Sequence, residues 1–190
     1  MKRIVLYILI TISACACSNE KSPSELFLDD FFDEQVSFDD EVICINYFHG
    51  GDHLLQYIEG PFADDTVRIE GYRRNSLVLT REEKSMIINT LRSLKPDSSH
   101  VDFYIDREIV SSDTIDALLQ NPEKGWPYFR KKYREGYYTV SKPIFFRENT
   151  LCLFSYSYSC GMLCGGGNIS IYKKTLFGWR SYISFYDWIS

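Results

Sequence analysis

Residues 151–186 read LCLFSYSYSCGMLCGGGNISIYKKTLFGWRSYISFY. Successive side chains of a strand point to opposite faces. Leu151, Leu153, Ser155 and Ser157 would therefore share one face, and Cys152, Phe154, Tyr156 and Tyr158 the other. The second face is heavily aromatic. Aromatic and β-branched side chains fit a pleated, half-buried surface, so 151–159, 168–174 and 179–186 are expected as strands. Residues 137–146 have the same character and supply a fourth. The links 147–150 and 175–178 are short and polar or glycine-containing, which joins antiparallel neighbours. The expectation is a C-terminal four-strand antiparallel meander.

Upstream, residues 42–48 (VICINYF) read as a strand. His49-Gly50-Gly51-Asp52 has turn chemistry, and residues 53–59 are expected as the returning strand of a hairpin. Residues 66–72 alternate as a strand, and 73–76 turn the chain into Leu77-Val78-Leu79. Thr80 followed by Glu83 is a capping box. Met86, Ile87, Leu91 and Leu94 then recur at helical spacing, and Pro96 ends the helix. Residues 101–110 read as a strand, Asp113 caps a short helix ending near Asn121-Pro122, and 125–133 form a further helical turn. The fold class is α+β: a mainly antiparallel sheet whose meander packs on one main helix, 80–94, with short helices beside it.

The chain has 190 residues, 25% of them charged, with a net charge of −5. That composition excludes a collagen, a coiled coil and a wholly disordered chain. The acidic balance argues against a nucleic-acid partner. Charge is uneven: residues 20–41 hold nine acidic side chains and one basic, Lys21, whereas 42–190 sum to +1. Residues 25–40 carry Leu26, Leu28, Phe31, Phe32, Val36 and Phe38 among these acids and fit either a docked short helix or an irregular strap. Asp29, Asp30, Asp33 and Glu34 lack the glycine and final glutamate of an EF-hand loop, so a solvated acidic face is expected.

Residues 1–17 read MKRIVLYILITISACAC. Lys2 and Arg3, then the apolar run 4–12, then small residues, make the three-part layout of a secretory signal. The run is too short to span a bilayer as a helix. Ile12-Ser13-Ala14-Cys15 and Ala14-Cys15-Ala16-Cys17 resemble the cleavage site of bacterial lipoprotein precursors, in which the cysteine is lipidated and becomes the first residue. The resemblance implies a signal peptide over 1–16 and anchorage in a bacterial cell envelope, periplasmic or on the outer membrane; the competing reading is a plain signal peptide cut near Ala16. The chain length fits a single domain, over 25–190, behind a tether over 17–24. Lipidation at Cys17 leaves Cys44, Cys152, Cys160 and Cys164, an even set; lipidation at Cys15 leaves five. Exported domains tend to pair their thiols, which favours Cys17. Four cysteines allow three connectivities, and Cys160–Cys164 with Cys44–Cys152 is the expected pairing. Ser159-Cys160-Gly161-Met162-Leu163-Cys164-Gly165-Gly166-Gly167, with Tyr172-Lys173-Lys174 and Gly178-Trp179, resembles the ending of small uncharacterised lipoproteins of Gram-negative bacteria. That resemblance implies an address and a fold, and no activity.

Three clusters carry possible chemistry. Cys160 and Cys164 could be a redox pair, but the spacing is not Cys-X-X-Cys and no helix begins there, so a structural disulfide is expected. His49, Asp52 and His53 could ligate a metal, but Gly50-Gly51 argues against the helix that would align them. Residues 124–134 interleave Trp126, Tyr128, Phe129 and Tyr133 with Arg130, Lys131, Lys132 and Arg134. That patch suits an envelope protein, a glycan or an anionic ligand; the competing reading buries the rings and solvates the charges. Gly165-Gly166-Gly167 is no phosphate loop, and no Gly-X-Ser-X-Gly elbow occurs. The expectation is a non-catalytic binding module without cofactor, held to the membrane by its lipid. The alternative is an envelope enzyme, by thiol redox or metal-dependent hydrolysis.

Overall fold

The computed structural model describes residues 21–35, 43–45, 51–63, 66–68, 75–94, 108–133 and 135–190. In chain order the elements are α1 (Pro23–Gln35), β1 (Ile43–Ile45), α2 (Gly51–Ile58), β2 (Thr66–Arg68), β3 (Ser76–Val78), α3 (Arg81–Ser93) and β4 (Ile109–Val110). Then come α4 (Ser112–Leu119), α5 (Gly125–Tyr133), β5 (Tyr137–Val140), β6 (Ile144–Phe146), β7 (Leu151–Gly161), β8 (Cys164–Thr175) and β9 (Gly178–Ile189). The class is α+β.

The main sheet runs β4-β1-β5-β7-β8-β9, with β6 also paired to β7. Its C-terminal part is the antiparallel meander. The expected single strand over 137–146 is two pieces on the same partner: β5 pairs with residues 156–159 of β7 and β6 with residues 151–153. Between them the register slips by one residue. Ser141 fills the slip, its N–H donating to the Ser155 carbonyl (2.8 Å) and its hydroxyl accepting from the Ser155 N–H (2.9 Å). At the other edge β1 lies parallel to both β5 and β4, a parallel pairing that the antiparallel reading did not include.

The two faces of the meander carry separate cores. Leu151, Leu153, Ile169, Ile171 and Ile183, with Ile144 and Phe146, pack against Leu54, Leu55 and Ile58 of α2 and Ile87 and Leu91 of α3. The capping box on α3 is present, with Thr80 and Glu83 exchanging hydrogen bonds as expected. The opposite, aromatic face holds Cys152, Phe154, Tyr172 and Trp179 and is covered by Phe27, Leu28, Phe31 and Phe32 of α1. These four sit at i, i+1, i+4 and i+5, one helical stripe. Full burial of each is worth roughly 1.5–3 kcal/mol before entropy is charged. Phe27 alone meets the rings of Phe145, Phe154, Tyr172 and Trp179 at 4.9–6.0 Å. Up to Gln35 the docked-helix alternative for the acidic segment is thus the observed one, and residues 36–40 lie outside the described residues. Ser22 and Glu25 cap its start reciprocally, and Pro23 occupies the first helical position, where its missing N–H costs nothing. A third core joins α4 and α5 through Val110, Ile115, Leu118, Phe129 and Tyr133.

Three local expectations need correction. Residues 51–58 are the helix α2 and not a returning strand. Leu54, Leu55 and Ile58 bury one face, and a Cβ on Gly51 would collide with the Leu91 backbone. Gly51 therefore serves close helix packing and not a hairpin turn. The cap of α4 is Ser111, whose hydroxyl accepts from the Thr114 N–H, and Asp113 lies inside the first turn. Residues 109–110 are strand, and the rest of the strand expected over 101–110 lies outside the described residues, apart from Glu108.

Candidate functional site

The Cys160–Cys164 disulfide is formed. It closes the β7–β8 hairpin, where Gly161 pairs with Cys164 across the exposed turn Met162-Leu163. Arg130 of α5 donates to the Cys160 carbonyl at 2.8 Å, fastening the tip to the third core. A bridge straddling a two-residue turn fixes the register of its strands, and a one-residue slip there would turn every β8 side chain to the wrong face.

The second expected bridge does not form: Cys152 is a free, buried thiol. The strand order gives the reason. Cys44 aligns with Tyr138 of β5, and Tyr138 aligns with Tyr158 of β7. Cys152 is one strand further away and six residues along, far beyond the Cα separation a disulfide tolerates. Burial pushes its thiol pKa well up. With Cys152 unpaired, the even count no longer favours Cys17 over Cys15 as the lipidated residue. Both of those lie outside the described residues, as does His49. Asp52 and His53 are neighbours in the first turn of α2. Among the described residues no three His, Cys, Asp or Glu side chains form a group able to hold a metal.

The aromatic and basic segment is α5, and its rings are largely spent on the core. Phe129 and Tyr133 are buried, Trp126 stacks in parallel on Tyr137 at 5.9 Å, and Tyr128 alone is exposed. Lys124 sits over the Tyr128 ring and Lys132 over Tyr133. A hydrogen bond with Tyr133 raises the Lys132 pKa. Arg134 lies outside the described residues. In α1, Asp29 pairs with Lys21 and Glu34 with Arg180.

The structure assembles a different site. A cavity of about 280 Å³ lies between α2 and the lower half of the β7–β8–β9 sheet. His53 and Tyr57 line it from the helix, Ser155, Tyr156 and Ser157 from β7, Asn168 and Ile169 from β8, and Tyr186 and Trp188 from β9. Tyr57 stacks on Tyr186 at 4.5 Å, and His53 meets the Tyr57 edge at 5.4 Å. The glycine run supports the opposite wall. Trp188 pairs with Gly167, and a Cβ on Gly167 would overlap the indole Nε1. Glycine in a strand often marks such a close approach. The side chains of Tyr156 and Asn168 lie on the other face of the sheet, where the Tyr156 ring meets Phe31 of α1 at 5.0 Å and burial, reinforced by the Asp187 carboxylate, raises its pKa. Asn168 donates through Nδ2 to Ser184 (3.0 Å) and to Asp187. Its buried Oδ1 has no donor among the described residues.

No protein-family model, curated protein or solved structure matches the chain. Its function must be argued from this geometry.

The chemistry available is recognition. Aromatic faces offer stacking area and the serine and histidine groups offer directed hydrogen bonds. Small-molecule sites combine an apolar lining with a few placed polar groups, and this cavity sits at the small end of their range. Sequence reading missed it because its members come from four elements. The one local signal was Gly165-Gly166-Gly167 inside an otherwise strand-forming run.

Proposed function

We propose that the chain is a lipid-anchored, non-catalytic binding protein of a bacterial envelope that holds a saccharide ring in the cavity between α2 and the sheet. The observation that carries the ligand assignment is the pairing of Tyr57, Tyr186 and Trp188 with His53, Ser155 and Ser157 around one small volume. A pyranose has an apolar face that stacks on such rings and a rim of hydroxyls that both donate and accept. The address rests on the N-terminal layout and the cysteine at 17, or 15, after small residues.

Calorimetric titration of the mature chain with mono- and disaccharides tests this reading. A saccharide is expected to bind, and Trp188→Ala to weaken it by up to about tenfold, the value of one aromatic contact. Binding that is indifferent to Trp188→Ala, or confined to peptides, would end the saccharide assignment.

A further inference from the structure

We propose that the tip of the β8–β9 hairpin, Leu176-Phe177, is a membrane-contact element that seats the domain on the phospholipid bilayer carrying its anchor. The proposal rests on the lipid-anchor reading above.

Leu176 is 97% exposed and Phe177 84%. Two-residue hairpin loops favour glycine, asparagine or aspartate. Here Gly178, with φ +92°, supplies the left-handed geometry just after the loop, and the loop itself is spent on two large apolar side chains. Thr175 holds the turn by accepting from the Phe177 N–H and donating to the Gly178 carbonyl. The tip is therefore a formed structure whose apolar groups serve no core. Exposed Lys173 and Lys174 stand directly behind it, in register with Arg180 and Trp179. Long cationic stems beside an apolar tip reach head groups while their methylenes stay at the interface. Asp30 and Glu34 face the hairpin from α1, and Glu34 takes Arg180. Lys174, and Lys173 with its ammonium over the Tyr182 ring, remain as cations beside the tip, next to the β6–β7 loop with Glu148 and the Glu83-paired Arg147.

The covalent path fixes which end of the molecule meets the bilayer. From Cys17 to Pro23 there are six peptide steps, which span at most roughly 20 Å; starting at Cys15 adds two steps. Helix α1 begins at the hairpin end of the sheet. Phe27 packs on Phe145 and Trp179, near the β8–β9 turn, and Phe32 packs on Tyr138, toward the other end. Asp30 abuts Gly178 and is about 10 Å along the helix axis from Pro23. A tether this short keeps Leu176 and Phe177 within reach of the surface that holds the anchor. A second exposed apolar turn among the described residues, Met162-Leu163, lies at the far end of β8.

The test uses the mature chain purified from membranes and reconstituted into phosphatidylethanolamine–phosphatidylglycerol vesicles with brominated acyl chains. Bromine quenches tryptophan only at close range. Phe177→Trp should lose most of its added emission relative to unbrominated vesicles, and Met162→Trp should lose none. Equal emission from Phe177→Trp in both kinds of vesicle overturns the hairpin contact, as does quenching at position 162 instead. Intact mass separates the two readings. A lipidated chain without quenching at 177 overturns the hairpin alone, whereas a chain carrying no lipid overturns the anchor and the hairpin with it.

Discussion

Arg147 grips Glu83 with two parallel hydrogen bonds, Nε to Oε1 at 2.9 Å and Nη2 to Oε2 at 2.8 Å, across 64 residues of sequence. The same carboxylate accepts from the Thr80 N–H at 2.9 Å, so the cap of α3 and the β6–β7 loop share one group. Arg147 also donates to the Val78 carbonyl at 3.1 Å, which brings β3 into the junction. Helix α3 is thereby fixed in rotation against the meander, with Ile87 and Leu91 facing the core that floors the cavity.

The hydrogen bond from Arg147 is the main reason that the Glu83 pKa is lowered. A depressed carboxylate adds stability that is fully present above its unfolded value, about pH 4.3, and that is lost as pH falls through the lower folded value. Solvent reaches both partners, with 42% of the Arg147 and 17% of the Glu83 side chain exposed, so the pair is worth about 1 kcal/mol. Glu83→Gln should cost that amount at pH 7 in urea unfolding. The gap between variant and parent should close in strongly acidic solution. A gap independent of pH would assign the cost to helix capping alone.

Arg147, Glu148 and Asn149 all have positive φ, at 52°, 55° and 59°. For side chains with a Cβ that region costs roughly 1–2 kcal/mol per residue. Asparagine tolerates it and Arg147 is held by its fork, but Glu148 has neither excuse. Glu148→Gly is expected to raise stability by up to about 1 kcal/mol, read as a higher denaturant midpoint with unchanged slope.

Gly51→Ala should act in the opposite sense. The added methyl has no room against the Leu91 carbonyl, and moving α2 away would loosen Leu54, Leu55 and Ile58. Overpacking of this kind costs about 1–3 kcal/mol. The same shift moves His53 and Tyr57, so saccharide binding should weaken alongside the thermal midpoint. Loss of stability with binding intact would mean that α2 does not form the wall of the site.

The meander was legible because period-2 alternation and short links are local signals, and each strand from 137 onward could be read from its own residues. Helix α2 was not legible. His49-Gly50-Gly51-Asp52 has the composition of a turn, and the demand for glycine at 51 comes from Leu91, forty residues later. The Ser22 and Glu25 box that starts α1 was in plain view, but Ser22 and the first helical residues, 23–24, fell inside the stretch read as tether. The cavity was hidden for a deeper reason. Trp188 and Gly167 meet only once β8 and β9 pair in register, and no window of sequence contains that pairing. The same limit explains the cysteines: Cys44 and Cys152 both sit in strands, and only the strand order shows β5 standing between them.

The cysteines now divide into two experiments with different outcomes. Cys160 and Cys164 close a five-residue loop, for which the chain-entropy account gives about 2 kcal/mol. Cys164→Ser should lower stability by that amount and leave the rest of the sheet intact, because the long β7–β8 ladder continues to residue 151. Cys152 lies among Phe154, Tyr172 and Phe27 with its thiol against the Leu153 carbonyl. The thiolate is the reactive species, and burial holds Cys152 protonated, so alkylation at neutral pH should spare it in the native chain and reach it in denaturant. Peptide mapping after alkylation reads both residues at once. Native protection of Cys152, together with a bridged Cys160–Cys164, makes these three cysteines structural. Rapid native labelling of Cys164 after mild reduction, with folding unchanged, would instead show a tip whose bridge opens at little cost, and would return thiol exchange to the functions the chain has to be tested for.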